Sequence, residues 1–174
     1  WTPKNQLPSL SHFGLEEFET DERAVIDFRG GEDAGTSWVK EWTWERNCLK
    51  SYKETRNGMV GSDYSSKLSP WLASGCLSAV QVYWEIKKYE EERVANESTY
   101  WLFFELLWRE FFRFVSRLNG PKLFWRSGIK EAGDISTKGD PKTLQRWKEG
   151  RTANAFVNAN MIELAKTGWM SNRG

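Results

Sequence analysis

The chain has 174 residues with 25 basic and 24 acidic side chains, so its formal net charge is only +1. Such a balance argues against binding of nucleic acid by bulk electrostatics, and any basic patch must be local. A single histidine, His12, argues against a Ser-His-Asp hydrolase and against a histidine-rich metal centre, so we expect no metal site.

Other features of the composition describe a packed protein. Eleven Trp, ten Phe and five Tyr make 15% of the chain aromatic, so large flat side chains are packed or presented. Cys48 and Cys76 form no CxxC motif, which predicts reduced packing residues rather than a zinc site or a disulfide framework. No run of about 18 apolar residues occurs, so the sequence predicts no segment that spans a membrane.

The first part of the chain predicts a leader followed by one helix. Residues 1–30 contain Pro, Ser and Glu with weak periodicity, which indicates an irregular connector with a short helical turn. From residue 32 to residue 52, apolar side chains recur at near-helical spacing, which predicts one amphipathic helix. Its apolar face would consist of Trp38, Trp42, Cys48, Leu49 and Tyr52.

A loop within residues 55–78 has the chemistry of an anion site. Gly58 and Gly61 bracket a turn, because glycine takes positive φ without steric cost. The two serines and the lysine at 65–67 supply two hydroxyls and one cation, and Ser69-Pro70 predicts an N-cap followed by the first helical residue. A helix N-terminus favours phosphate through its free N–H groups and partial positive charge. The alternative is a well-capped helix after a polar loop.

The rest of the chain predicts five helices and no strand. They lie at residues 70–73, 79–95, 99–118, 141–148 and 158–167. Asn96-Glu97-Ser98 caps the third of them, and Gly120-Pro121 ends it. The second helix turns five side chains inward: Val80, Val82, Tyr83, Ile86 and Tyr89. Because no apolar period of two is present, we predict an all-α fold.

The helix at 99–118 is apolar nearly all round, which predicts a buried position. Within it, Glu105, Trp108, Arg109 and Phe112 recur at i, i+3, i+4 and i+7 and therefore form one stripe. One interpretation is an ion pair covered by aromatic rings, since an unpaired buried charge is unfavourable. The other is a pocket wall, in which Trp108 stacks a flipped base and Glu105 hydrogen-bonds its edge.

Three segments resemble the photolyase/cryptochrome family, and specifically its DASH cryptochromes. They are YKETRNGMVGSDYSSKLSPWLASGCLS at 52–78, RVANESTYWLFFELLWREFFRF at 93–114 and TGWMSNRG at 167–174, the last with one aromatic exchange. The resemblance covers roughly residues 28–174, and it implies part of a helical FAD-binding domain at 31–174 after a leader at 1–30. Because the chain begins at Trp1 and stops inside a family motif, we expect a fragment of a longer protein.

The resemblance implies roles for individual residues. FAD would be bound by Tyr52, Ser65, Ser66, Lys67, Leu68, Ser69 and Arg109. Glu105 and Trp108 would be catalytic residues that face a damaged pyrimidine dimer, and Arg56 would contact the nucleic-acid backbone beside them. Trp169 matches a tryptophan of the series that re-reduces the flavin. Lys67 stands where many family members have Arg, so it keeps the charge but loses the bidentate fork.

The chemistry that the resemblance implies is light-driven. A reduced flavin absorbs blue light and donates one electron to a cyclobutane pyrimidine dimer, which is the reaction of a deoxyribodipyrimidine photolyase, while some relatives signal instead. DASH members favour single-stranded DNA, where extrusion of a damaged base is least costly. By the same analogy we expect an antenna chromophore if an N-terminal domain exists outside this chain, and a location in the chloroplast or mitochondrion.

Several positions depart from the family pattern. Thr137 stands ten residues before Trp147, where relatives have an electron-transfer Trp, so that route is interrupted unless Trp125 substitutes. The segment 151–161 carries three further exchanges, at Ala153, Ala155 and Asn158. The last of these replaces an acidic residue that is usually paired with an arginine. Loss of such a buried partner costs about 3–5 kcal/mol unless the site has re-adapted.

Two hypotheses of different classes follow. The first is a blue-light flavoprotein of DASH type that binds FAD and either repairs damaged DNA or signals. The second is a degenerate, flavin-free relative that serves as a structural or interaction subunit and binds protein partners. The intact loop at 65–69 and the Glu105/Trp108/Arg109 stripe favour the first. Thr137, the altered 151–160 segment and the near-neutral charge favour the second.

Overall fold

The computed structural model describes residues 8–16, 19, 21–130 and 139–174, and within these ranges the chain is helical without any strand. The predicted all-α fold is confirmed. The α-helices of the described residues are α1 Glu32–Lys40, α2 Tyr52–Thr55, α3 Ser69–Ser74, α4 Ala79–Glu92, α5 Glu97–Asn119, α6 Pro141–Lys148 and α7 Ala155–Thr167. Shorter elements are a π-helical turn at Glu41–Glu45 and 3₁₀ helices at Leu10–Phe13, Cys48–Ser51 and Gly120–Phe124.

The single helix predicted at 32–52 is wrong, because the chain breaks at Asn47. This residue has φ 54, in the left-handed region that Asn tolerates better than most residues, and the Tyr89 hydroxyl donates to its side-chain oxygen at 2.5 Å. A 3₁₀ helix then leads into α2. The apolar face is nevertheless buried as predicted, at Trp38, Trp42, Leu49 and Tyr52, while Cys48 is half-buried.

The loop before α3 differs from its predicted details. Gly61 has φ 91 and needs glycine for its backbone, but Gly58 has no positive φ and needs glycine for space. A Cβ at Gly58 would lie 2.7 Å from the Cβ of Tyr64. Leu68, not Ser69, is the N-cap of α3 and makes no side-chain cap bond, so the predicted cap is wrong. Gly75 ends the helix with φ 78, in the left-handed region that glycine favours.

Helix α4 buries one face of the pattern predicted for it. Val82, Ile86 and Tyr89 are buried, at the i, i+4 and i+7 spacing of a single face. Val80 is 64% exposed, so its predicted inward position is wrong, because it lies roughly opposite Val82 on the helix. A capping box between Ser78 and Gln81 begins the helix.

Helix α5 is capped by Asn96 and ends at Gly120, as predicted. Helices α2 and α4 pack against it, and the side chains buried there are all in its first half: Ser98, Thr99, Leu102 and Leu106. In its second half, the large apolar side chains from Leu107 to Leu118 are mostly exposed, Trp108 to 44%. The prediction of a helix buried throughout is therefore wrong, because the described elements leave most of the large apolar side chains of its second half exposed.

The exchange at residue 158 has been accommodated by hydrogen bonds. The Asn158 side-chain oxygen accepts from the backbone N–H and the hydroxyl of Thr152, both at 2.7 Å, and its amide donates to the Thr152 carbonyl at 2.9 Å. Arg151 is exposed and pairs with Glu149. The segment has therefore re-adapted, and no charge is left buried without a partner within it. Helix α7 begins earlier than predicted because Asn154 caps it.

The leader contacts the helical body through Phe28. Its ring lies 5.6 Å from the ring of Trp71 in α3 and 4.9 Å from that of Trp169, which follows α7. The predicted short helical turn is present at Leu10–Phe13. The division between a leader and a domain near residue 31 stays a prediction.

We expect the Asn96 cap to be needed for the stability of α5. Its side-chain oxygen accepts from the N–H groups of Ser98 and Thr99, and its amide donates to the Lys50 carbonyl at 2.8 Å. Asn96→Ala should therefore lower the free energy of unfolding by about 1 kcal/mol, measured by urea denaturation. Asn96→Asp keeps the capping acceptor and should lose less; equal losses in the two variants would contradict the role of the cap.

Candidate functional site

A cleft of about 540 Å³ gathers residues from four separate parts of the chain. We call it the central cleft. Its walls come from α2, from the loop before α3, from α5 and from the segment after α7. The lining residues are Tyr52, Arg56, Tyr64, Ser65, Ser66, Lys67, Leu68, Ser69, Glu105, Trp169, Met170, Ser171, Asn172 and Arg173. Most of the sequence-predicted site residues therefore lie together.

Two indoles fix the loop that forms one wall of the central cleft. The Trp38 indole N–H donates to the Ser66 carbonyl at 2.7 Å, and the Trp42 indole N–H donates to the Asp63 carbonyl at 3.3 Å. Both rings are buried in the core. Their bonds satisfy carbonyl groups that irregular backbone would otherwise leave without partners. The spacing of these tryptophans predicted burial, but it gave no signal for this second function.

Lys67 is the central charge of the loop. It is 3% exposed and has φ 49, which is unusual for a residue with a side chain. Its ammonium donates to the Ser62 carbonyl at 3.0 Å, and no carboxylate of the described residues forms an ion pair with it. Burial lowers the pKa of Lys67 to about 8. A buried cation with only neutral hydrogen-bond partners suits an anionic ligand.

Tyr52 and the serines add neutral donors to this cation. Burial raises the pKa of Tyr52 to about 12, so its phenol stays protonated and is able to donate at neutral pH. Ser65, Ser66 and Ser69 line the same cleft and bring three hydroxyls. One buried ammonium in a cleft that is also lined by hydroxyl donors matches the needs of a phosphate or diphosphate group. Among the described residues, no cluster of His, Cys, Asp and Glu side chains could hold a metal ion.

Glu105 forms an ion pair with Arg56 and not with Arg109 on its own helix. Its carboxylate accepts from the Arg56 guanidinium at 2.7 Å, across the central cleft from α5 to the end of α2. Arg56 also lies over the Trp101 ring, 4.8 Å from its centroid. An ion pair covered by an aromatic ring is therefore present, with Arg56 in place of Arg109. The buried indole N–H of Trp101 has no hydrogen-bond partner among the described residues.

Arg109 and Trp108 lie outside the central cleft. Arg109 donates to the Leu72 carbonyl at 3.0 Å, pairs with Glu110, and lines an adjoining cavity of about 390 Å³. That cavity shares Tyr52, Ser66, Leu68, Ser69 and Glu105 with the central cleft. Trp108 stacks on Phe112, with ring centroids 5.8 Å apart. Of the stripe on α5, Glu105 therefore lines the central cleft, whereas Trp108 and Arg109 do not. The lesion-facing role of Trp108 stays a prediction.

The segment after α7 supplies a wall that sequence reasoning found only in part. Trp169 was predicted, but Met170 to Arg173 were not assigned a role. The Arg173 guanidinium donates to the Asn57 side-chain oxygen at 2.5 Å and so joins this segment to the loop after α2. The signal for it was present, because these residues belong to the matching run at 167–174. Thr137 lies outside the described residues, so the interrupted electron route stays a prediction.

Comparisons with known proteins agree with this geometry. Residues 101–174 match the family model described as the FAD binding domain of DNA photolyase. The chain is 51% identical over 169 residues to a protein named Cryptochrome DASH from Gloeobacter violaceus, covering 97% of the chain and 34% of the relative. A Xenopus laevis protein of the same name is 49% identical over 171 residues, covering 98% of the chain and 32% of the relative.

Solved structures give the same result. The chain superposes on a Synechocystis cryptochrome with a TM-score of 0.89 and 48% identity, over 99% of the chain and 35% of that structure. It superposes on a class III photolyase from Agrobacterium tumefaciens with a TM-score of 0.77 and 26% identity, over 98% of the chain and 35% of that structure. The chain spans about a third of the length of these relatives, and over that stretch it belongs to the photolyase/cryptochrome family, among the DASH cryptochromes.

Proposed function

We propose that this chain forms the diphosphate-binding wall of an FAD site in a flavoprotein of cryptochrome-DASH type. The observation that carries this proposal is the environment of Lys67, a buried ammonium without a described carboxylate partner, beside the hydroxyls of the central cleft. A ligand that brings negative charge would compensate the desolvation of this cation. The family model for an FAD-binding domain supports the same ligand independently.

The residues that line the central cleft and the adjoining cavity would bind different parts of FAD. Lys67 neutralises the diphosphate, and the hydroxyls of Ser65, Ser66 and Ser69 donate to its oxygens. Tyr52, which lines both cavities, would donate its phenol, and Arg109, which lines the second cavity, would hold another part of the cofactor. When bound, the flavin supplies absorption of blue light and transfer of one electron. The apolar parts of the walls exclude water from it, and Trp169 lines the same cleft as the partner in electron transfer.

We further propose that the complete protein acts on cyclobutane pyrimidine dimers in single-stranded DNA. A photolyase among the structural neighbours supports a photolyase reaction by similarity, and the substrate itself is the one that the family resemblance implies. Glu105 would hydrogen-bond the extruded base, Trp108 would stack on it and Arg56 would bind the backbone. Because Arg56 and Glu105 neutralise each other in this structure, a phosphate that binds Arg56 competes with Glu105. Such competition would couple arrival of DNA to release of the carboxylate that meets the base.

A second candidate function is that of a flavin-free interaction subunit. The mutual neutralisation of Arg56 and Glu105 favours it, since neither charge then requires a ligand. A colourless native protein would support this candidate, and a flavin absorption band would exclude it.

For the location we propose the chloroplast or mitochondrion, since plant relatives such as that of Arabidopsis thaliana carry these compartments in their names. An antenna chromophore would belong to a part of the protein outside this chain.

Removing the cation or the adjacent hydroxyl should release the flavin. In the longest native form of the protein, Lys67→Ala and Ser66→Ala should each weaken FAD binding about ten- to hundredfold, since each removes a bond to a charged group. Flavin content by absorption after gel filtration measures this. Ser74→Ala, which alters a serine of α3 outside the central cleft, is the matched control. Unchanged flavin content in both test variants would reject the assignment.

Binding of the diphosphate should weaken in alkaline solution. Below about pH 8, Lys67 is protonated in the free protein and ready for an anion. A bound anion raises its pKa, so affinity is level below that pH and falls above it, by at most about tenfold per pH unit. Lys67→Arg stays charged and should remove this decline. Calorimetric titration with FAD at several pH values tests both, and an identical decline in the two proteins would contradict the role of Lys67.

The exposed tryptophan of α5 should recognise damaged DNA. We expect Trp108→Leu to weaken binding of single-stranded DNA that contains a cyclobutane dimer by about 1–3 kcal/mol, because one stacking surface is lost. Trp84→Leu removes a tryptophan of α4 that is more exposed, at 64% against 44% for Trp108, and serves as the control. Fluorescence anisotropy with labelled oligonucleotides provides the measurement. Equal losses in the two variants would argue against a lesion-facing Trp108.

A further inference from the structure

Tyr64 lies beside Lys67 in the wall of the central cleft, and neither the sequence nor the comparisons assign it a role. The Lys67 nitrogen Nζ lies 3.5 Å from the centroid of the Tyr64 ring, well inside the range of a cation–π attraction. The same ammonium donates a hydrogen bond to the Ser62 carbonyl at 3.0 Å. Among the described residues, one ring face and one carbonyl therefore stabilise this buried ammonium.

The position of the ring depends on Gly58. A Cβ added there would lie 2.7 Å from the Tyr64 Cβ and 3.2 Å from the Thr55 carbonyl oxygen. The first atom is close to the backbone and is not the end of a flexible side chain, so the loop would have to shift. Gly58 thus leaves the space into which the first part of Tyr64 packs.

The hydroxyl of Tyr64 is not the reason for its placement. The oxygen Oη is buried and has no hydrogen-bond partner among the described residues. A buried hydroxyl without a partner is unfavourable, so this group opposes the observed position of the side chain. The ring face supplies the compensating interaction, and phenylalanine would supply it equally well.

The charged groups near Lys67 are engaged elsewhere or neutral, so the Tyr64 ring is the main partner of its ammonium. Asp63 favours the protonated lysine, but its carboxylate is already bound by Arg46 at 2.7 Å. Cys48 also acts on Lys67, and burial raises the pKa of its thiol, so it stays neutral near pH 8. The remaining charged residues that line the central cleft are Arg56, Glu105 and Arg173.

We propose that Tyr64 is the positioning residue of Lys67, holding its ammonium against the ring face so that the charge is kept at the wall of the central cleft. The role deepens the proposed diphosphate site and, for its purpose, rests on it. Gly58, Tyr64 and Lys67 then form one unit, in which the first gives space, the second gives the π face and the third gives the charge.

The test is a direct titration of Lys67 in the ligand-free native protein. Carbon-13 at lysine Cε reports the titration by NMR, with Lys67→Arg to assign the signal. Tyr64→Met keeps an apolar side chain without a π face and should lower the pKa of Lys67 by about one unit. At pH 8 its affinity for inorganic pyrophosphate should then fall about fivefold, since fewer lysines are protonated. Tyr64→Phe should leave both properties unchanged.

An unchanged lysine titration in Tyr64→Met, or an equal shift in Tyr64→Phe, would overturn the proposal. If Tyr64→Met does not fold, the chemical shifts of the unmodified protein provide the test. Protons at Lys67 Cε must then be shifted upfield by the ring current of Tyr64. Proton chemical shifts at Lys67 Cε in the ordinary range for lysine would overturn the proposal as well. A titration that depends on Tyr64 in a protein that binds no pyrophosphate supports the positioning role and rejects the phosphate site, so the two failures are distinguishable.

Discussion

The hydrogen bond from the buried Trp38 indole to the Ser66 carbonyl is the contact on which the central cleft depends. Together with the bond from Trp42 to Asp63, it holds irregular backbone against the helical core. Without these bonds the two carbonyl groups would lie against the core without partners. Because both indoles are buried in the core, the position of the site depends on the packing of α1 and of the π-helical turn that follows it.

This anchoring explains how Lys67 is kept in an unfavourable state. Its backbone is left-handed, its ammonium is buried and its described partners are neutral. Such strain persists only where the surroundings determine the conformation, and it concentrates at functional sites. The core fixes the loop on one side, and Tyr64 receives the ammonium on the other. In the proposed diphosphate site the charge would thereby be in place before an anion arrives, which would reduce the reorganisation that binding requires.

Local interactions made much of the fold predictable. The sequence placed α4, α5 and α6 near their observed bounds, and the structure shows that each begins at a cap next to it in the chain, Ser78, Asn96 and Asp140, of which only Asn96 was predicted. The break at Asn47 was not predictable in the same way. It depends on the Tyr89 hydroxyl from α4, and a window of neighbouring residues contains no sign of that contact. Burial of α5 was overestimated for a related reason, because hydrophobicity shows what a helix is able to bury and not what covers it.

For the site, the sequence by itself determined the residue types and, through three matching runs, the family and most of the residues of the central cleft. Only the tertiary structure decided which groups are partners. It pairs Glu105 with Arg56 rather than with Arg109, joins Arg173 to Asn57, and puts the ammonium of Lys67 on a ring. The physical reason is that charge pairing and burial depend on distances between elements far apart in the chain, which helical periodicity does not encode.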